Sequence, residues 1–217
     1  MADITIHIGN RNYSSWSLRA WLMLKQTGAA FESAVIPLYA PGSKAEILRH
    51  SPSGKVPALQ HGDVAVWDSL AIGEYLNEAF PKAGLWPATA VARACARSIS
   101  AEMHSGFVNL RRHLPMNMRR AVAPRPLTDE VRADIGRIAA IWRDCRNRFG
   151  AGGAFLFGVF GIADAMYAPV VSRLRSYAVP IDPDTAAYCD AIEAHPPYRE
   201  WSTAAKDEPM VVAEFEV

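Results

Sequence analysis

Three stretches of the chain carry residue types whose spacing suits chemistry. Tyr13-Ser14-Ser15 sets three hydroxyls just ahead of an apolar run. If that run is a helix, a hydroxyl at its start can hold an anion through its hydrogen bond and the helix dipole; the plainer reading is that it only caps the helix. Asp68-Ser69 opens a second periodic run, where free N–H groups attract a carboxylate, and here too ordinary capping is the alternative. Val56-Pro57 comes at the head of a short strand pattern. A cis peptide bond there turns main-chain groups toward a bound peptide, whereas a trans proline simply starts a strand.

Other chemistries find less support. Cys95, Cys145 and Cys189 are odd in number and far apart, with no Cys-x-x-Cys pair, a usage that fits a reducing compartment. None of the six histidines stands in the i, i+4 pair that helical zinc sites favour, so no metal is expected. With 23 basic and 22 acidic residues the formal charge is +1, too small a field to single out nucleic acid or a membrane surface as partner. The N-terminus has no basic region followed by a long apolar run, and no window approaches the ~18 uninterrupted apolar residues of a membrane span. The expectation is a cytoplasmic protein that acts on small molecules.

Periodicity supplies the elements that must position these residues. Ile4-Thr5-Ile6-His7-Ile8 alternates as a half-buried strand does. Trp16 to Thr27 is apolar almost all round, a buried helix that stops at Gly28. Phe31 to Leu38 supplies a second strand, and the crossover length makes the two parallel. A short helix runs from Pro41-Gly42-Ser43 through Arg49, and Val56 to Gln60 and Val64 to Trp67 form a hairpin about His61-Gly62-Asp63. Ile72, Tyr75, Leu76, Ala79 and Phe80 mark an amphipathic helix stopped by Pro81. Beyond it the strand signals vanish. Ile99, Met103, Phe107, Leu110 and Leu114 read as the stripe of one helix, and Val131, Ile135, Ile138, Trp142, Cys145 and Phe149 as that of another, a pattern for helices packed in a bundle. A Pro-rich stretch from Pro115 to Pro126 separates them, a third helix starts at Ile162 despite Pro169, and shorter ones lie near Thr185 and Tyr198.

This order of elements resembles the glutathione transferase superfamily over essentially the whole chain. Three motifs carry the resemblance: Ser14-Ser15-Trp16-Ser17-Leu18-Arg19, Ser51-Pro52-Ser53-Gly54-Lys55-Val56-Pro57, and Trp67-Asp68-Ser69-Leu70-Ala71-Ile72. It implies an α/β thioredoxin-like N-terminal domain over residues 1–81, a linker over 82–92, and an all-α helical-bundle C-terminal domain over 93–217 that carries the electrophile pocket. It also implies glutathione as co-substrate without a metal, a small electrophile as the other partner, and a homodimer. Ser14, five residues before Arg19, matches the activating serine of serine-type members such as the zeta and tau classes; Ser15 is the second choice and Tyr13 the third. Pro57 corresponds to the family's cis proline, with Val56 pairing with the cysteinyl unit. Asp68 and Ser69 would hold the γ-glutamyl end, and Lys55, ahead of Lys44, the glycyl carboxylate.

Trp16, Met103, His104 and Phe107 are candidates for the electrophile pocket. Phe157 to Asp164 resembles the family's capping motif, with Gly161 in place of the usual Ser or Thr and Asp164 bonding back to the helix start. Arg111, Arg112, Arg119, Arg120 and Arg125 form a basic cluster about Pro115, either a solvated helix end or a field that steers anions. A thiol of reference pKa ~8.5 is mostly protonated at neutral pH, and its thiolate is the nucleophile. With a residue that stabilises the thiolate, the resemblance implies a conjugating, detoxifying transferase. Trp16 stands where zeta-class isomerases read cysteine in Ser-Ser-Cys, a departure from the maleylacetoacetate isomerase pattern. A glutathione-dependent cis-trans isomerase and a non-catalytic binding or regulatory protein are the competing readings.

Overall fold

A computed structural model describes residues 3–217. In β1 (Ile4–Ile8) the isoleucines are buried and the intervening Thr5 and His7 are half-buried, so burial follows the pleat. The chain crosses through α1 (Ser15–Gln26) to β2 (Glu32–Val35), which pairs parallel with β1. After α2 (Ser43–His50) come β3 (Ala58–His61) and β4 (Val64–Trp67), an antiparallel hairpin, and then α3 (Ser69–Ala79). The sheet order is β2-β1-β3-β4. β2 is shorter than the stretch from Phe31 to Leu38 suggests, because five-residue β1 offers its partners only from Thr5 to Ile8. β3 begins after Pro57, which has no N–H to give a ladder.

The strand register decides where the three motifs lie. His7 is level with Ala58, and Ala58 with Trp67. The end of β1, the start of β3 and the end of β4 therefore share one end of the sheet. The turn before α1, the Val56-Pro57 step and Asp68-Ser69 all emerge there.

After α3 the chain is helical: α4 (Ala90–Ser105), α5 (Val108–His113), α6 (Asp129–Phe149), α7 (Ile162–Ser176), α8 (Pro183–Ala194) and α9 (Pro196–Lys206). α7 is buried at every position from Ile162 to Leu174 and packs on both α1 and α4, which joins the two parts of the molecule in one core. The stripe from Ile99 to Leu114 belongs to two helices and not one. Phe107 takes a left-handed conformation (φ 55°), and Asp134 of α6 accepts the Leu110 N–H at 2.9 Å, supplying a partner for an otherwise orphan donor of the new helix start. Alternation of apolar residues survives such a break, so the pattern alone does not show it.

The cap of α7 has a steric cause. Asp164 Oδ2 accepts the Gly161 N–H and its Oδ1 accepts the Leu156 N–H and the Tyr188 hydroxyl, each at 3.0 Å. A Cβ on Gly161 would meet the Leu85 carbonyl oxygen at 2.7 Å, so a Ser or Thr cap does not fit. Among the described residues no helix is long and apolar enough to cross a membrane.

Candidate functional site

The turn into α1 is built by hydrogen bonds that leave its helix start facing a cleft. The Asn10 carbonyl accepts the N–H groups of Tyr13 and Ser14 at 3.2 and 2.8 Å, and its Oδ1 accepts Leu38 N–H at 2.7 Å. Ser14 caps the helix. Its Oγ accepts the Ser17 N–H at 3.3 Å and donates to Ser17 Oγ at 2.8 Å, while Ser17 Oγ accepts the Gly9 N–H at 3.0 Å. No acidic side chain stands in the first turn of α1, which leaves the positive end of its dipole uncompensated by its own sequence. The Tyr13 hydroxyl is differently placed. It donates to Glu216 Oε1 and accepts from Arg119 Nη2 at 2.9 Å, so its proton is committed to a carboxylate.

Asp68 has φ 77°, an uncommon conformation for a residue with a side chain. Its Oδ1 caps α3 by accepting Leu70 and Ala71 N–H at 2.8 and 3.3 Å, and its Oδ2 pairs with His104 Nε2 at 3.2 Å. Asp68 thus caps α3 with one oxygen and meets His104 with the other. Ser69 is 1% exposed and its hydroxyl has no partner among the described residues, which fits an oxyanion at this helix start.

Trp16 links these groups. His104 meets its ring edge-on at 5.2 Å, and the guanidinium carbons of Arg19 and Arg111 lie 4.5 and 5.4 Å from its centre. Arg19 is fully buried and none of its three nitrogens has a hydrogen-bond partner among the described residues. Burial, followed by the nearby charges of Arg173 and Arg111, pushes its pKa down to about 9, which still leaves it charged at neutral pH.

Ser14, Ser15 and Trp16 line a cleft of about 360 Å³ together with Arg111, Arg112 and Arg173, and no carboxylate is among its lining residues. Phe215 and Tyr39 close another side, their rings 5.8 Å apart, and Phe215 lies equally far from the Tyr13 ring. Arg173 is anchored by donating to the Leu114 and Pro169 carbonyls at 2.8 and 3.1 Å, and burial pushes its pKa down to about 10. The basic cluster about Pro115 thus divides. Arg111 and Arg112 face the cleft, whereas Arg119 and Arg120 bind main-chain carbonyls of the C-terminal segment, among them Met210 and Val217.

The Val56-Pro57 peptide bond is cis, and Val56 makes no main-chain hydrogen bond to the chain among the described residues. Lys44 Nζ donates to the Gly54 carbonyl at 3.0 Å, while Lys55 is exposed. Of the four pocket candidates, Trp16 and His104 reach the site. Met103 and Phe107 lie in the core, because α4 turns the face bearing Met103 onto α7 and the chain is buried where it turns at Phe107. Arg173, Tyr39 and Phe215 escaped sequence reasoning. An arginine inside the apolar run of α7 was a visible signal, whereas no local pattern marks the two aromatics.

Two family models match this chain, the glutathione S-transferase N-terminal domain over residues 13–79 and the C-terminal domain over residues 128–204. Over 97 residues the chain is 34% identical to a "Probable maleylacetoacetate isomerase" of Caenorhabditis elegans, a match that spans 45% of this chain and only 44% of the relative. A "Maleylacetoacetate isomerase" of Pseudomonas aeruginosa is 27% identical over 198 residues, 88% of this chain and 91% of that one. Among solved structures, a glutathione transferase homolog from Burkholderia with bound glutathione superposes with a TM-score of 0.73 at 25% identity, covering 94% of this chain and 99% of that one.

Proposed function

The chain belongs to the glutathione S-transferase superfamily, and we propose that it stabilises glutathione as its thiolate for attack on a small electrophile. The observation that carries this reading is the strand register. It brings the Ser14 turn, the Val56-Pro57 step and the orphan hydroxyl of Ser69 to one end of the sheet.

Ser69 takes the γ-glutamyl carboxylate through its hydroxyl and its own main-chain N–H, the N–H groups of Leu70 and Ala71 being held by Asp68, and Asp68 meets the ammonium with the oxygen it otherwise shares with His104. Val56 offers main-chain groups to the cysteinyl unit, and Lys55 pairs with the glycyl end. Ser14 donates to the sulfur, with Ser15 next to it as the second choice. Holding both reactants in place and lowering the thiol pKa supply the acceleration. In this reading residues 1–81 bind glutathione, 82–92 link, and 93–217 complete the electrophile pocket in a cytoplasmic, homodimeric, detoxifying enzyme.

One observation favours a second reading. The cleft beside Ser14 holds three arginines and no carboxylate, a surrounding that suits the cis-enone diacid of a glutathione-dependent isomerase. Turnover of such a diacid without a conjugate accumulating would select the isomerase; conjugation of an activated aryl halide would select the transferase.

The test of the thiolate donor is a pH–rate profile. Ser14→Ala should lower turnover strongly at neutral pH, recover partly at alkaline pH, and leave glutathione affinity nearly intact. Tyr13→Phe and Ser15→Ala should do much less. Loss of activity in Tyr13→Phe with Ser14→Ala still active would overturn the assignment.

A further inference from the structure

We infer that Ser17 is a positioning residue for the Ser14 hydroxyl, the middle of a donor chain that runs from the Gly9 N–H through Ser17 and Ser14 to the glutathione sulfur. The inference rests on the reading of Ser14 as the thiolate's donor. Ser17 is fully buried inside α1, where serine is a mediocre helix former. Its hydroxyl is not spent on the usual bond back to the preceding turn. It stands between Gly9 N, 3.0 Å away, and Ser14 Oγ, 2.8 Å away.

The direction of the chain follows from what each group can do. A backbone N–H only donates, so Ser17 Oγ accepts at Gly9. As the structure stands Ser17 Oγ accepts from both Gly9 N–H and the Ser14 hydroxyl, so its own proton is free to turn toward Ser14 Oγ once Ser14 donates elsewhere. In the free protein the proton between the two hydroxyls comes from Ser14. A thiolate in the cleft is a stronger acceptor than a serine oxygen and draws the Ser14 proton outward. Ser14 Oγ then accepts from both the Ser17 hydroxyl and the Ser17 N–H, and a hydroxyl that accepts two bonds is a better donor. No proton leaves either serine. The thiol proton of glutathione goes to solvent, and only the orientation of two O–H bonds changes. A plain N-cap needs the Ser17 N–H alone, so the buried Ser17 hydroxyl is superfluous to capping.

The experiment titrates the thiolate absorbance of glutathione bound to the full-length protein, in wild type, Ser14→Ala and Ser17→Ala. Ser17→Ala should raise the apparent pKa of the bound thiol by about 0.5–1 unit, less than Ser14→Ala does, with the glutathione dissociation constant within about twofold of wild type at a pH below both pKa values. A pKa raised in Ser14→Ala and unchanged in Ser17→Ala overturns the relay and leaves the Ser14 reading standing. An unchanged pKa in both overturns the two together. Should the alanine variant not fold, Ser17→Cys, similar in size and a weaker donor, takes its place, and a wild-type thiol pKa in that variant overturns the relay.

Discussion

Replacing Ser69 by alanine should move stability and ligand affinity in opposite directions. The Ser69 hydroxyl is buried and has no partner among the described residues, and an unsatisfied buried polar group costs about 1–3 kcal/mol. Deleting it removes that cost and leaves a gap of one oxygen, so stability should stay level or rise by up to about 1 kcal/mol. In the proposed reading the same hydroxyl donates to the γ-glutamyl carboxylate of glutathione, a charge-assisted bond of about 1.5–3 kcal/mol. Its loss should weaken binding by about 10- to 150-fold. Titration calorimetry with glutathione reads the affinity, and urea unfolding of the free protein reads the stability. A variant that binds glutathione as wild type does would refute the γ-glutamyl assignment, and one that is markedly less stable would refute the account of Ser69 as an unpaired group.

Three further outcomes are expected. Burial holds the Asp164 carboxyl up to about 6 against an ordinary 3.8, despite three donors on its oxygens. An acid with a raised folded pKa contributes stability that is fully present below about pH 4 and lost as the pH passes through about 6. Measured against Asp164→Asn in urea, wild type should lose roughly 2–3 kcal/mol across that window, and a flat difference would remove the linkage. Gly161→Ser should destabilise by about 1–3 kcal/mol although serine is the better cap, because its Cβ meets the Leu85 carbonyl at 2.7 Å; a higher midpoint of thermal unfolding would contradict this. His104→Ala should cost under about 1 kcal/mol, since its pair with Asp68 is partly exposed and screened, with urea midpoints as the measure.

Local pattern determined much of this molecule. The alternation of Ile4, Ile6 and Ile8, the all-round apolar run of α1 and the stripe of α3 each bury a face, and burial sets the period a sequence must show. Hydroxyls and acids at the helix starts were legible for the same reason: a helix end needs partners within a few residues, and Ser14 and Asp68 supply them. The tertiary structure decided what depends on contacts between distant segments. The break at Phe107 comes with Asp134, twenty-four residues from Leu110. Tyr13 is committed by Glu216 and Arg119, and the cleft gathers Tyr39, Arg173 and Phe215 from three separate regions. Period reports that a residue is buried or exposed but not against what, so Met103 in the core and His104 on Asp68 could be told apart only when α7 and the end of β4 took their places on either side of α4.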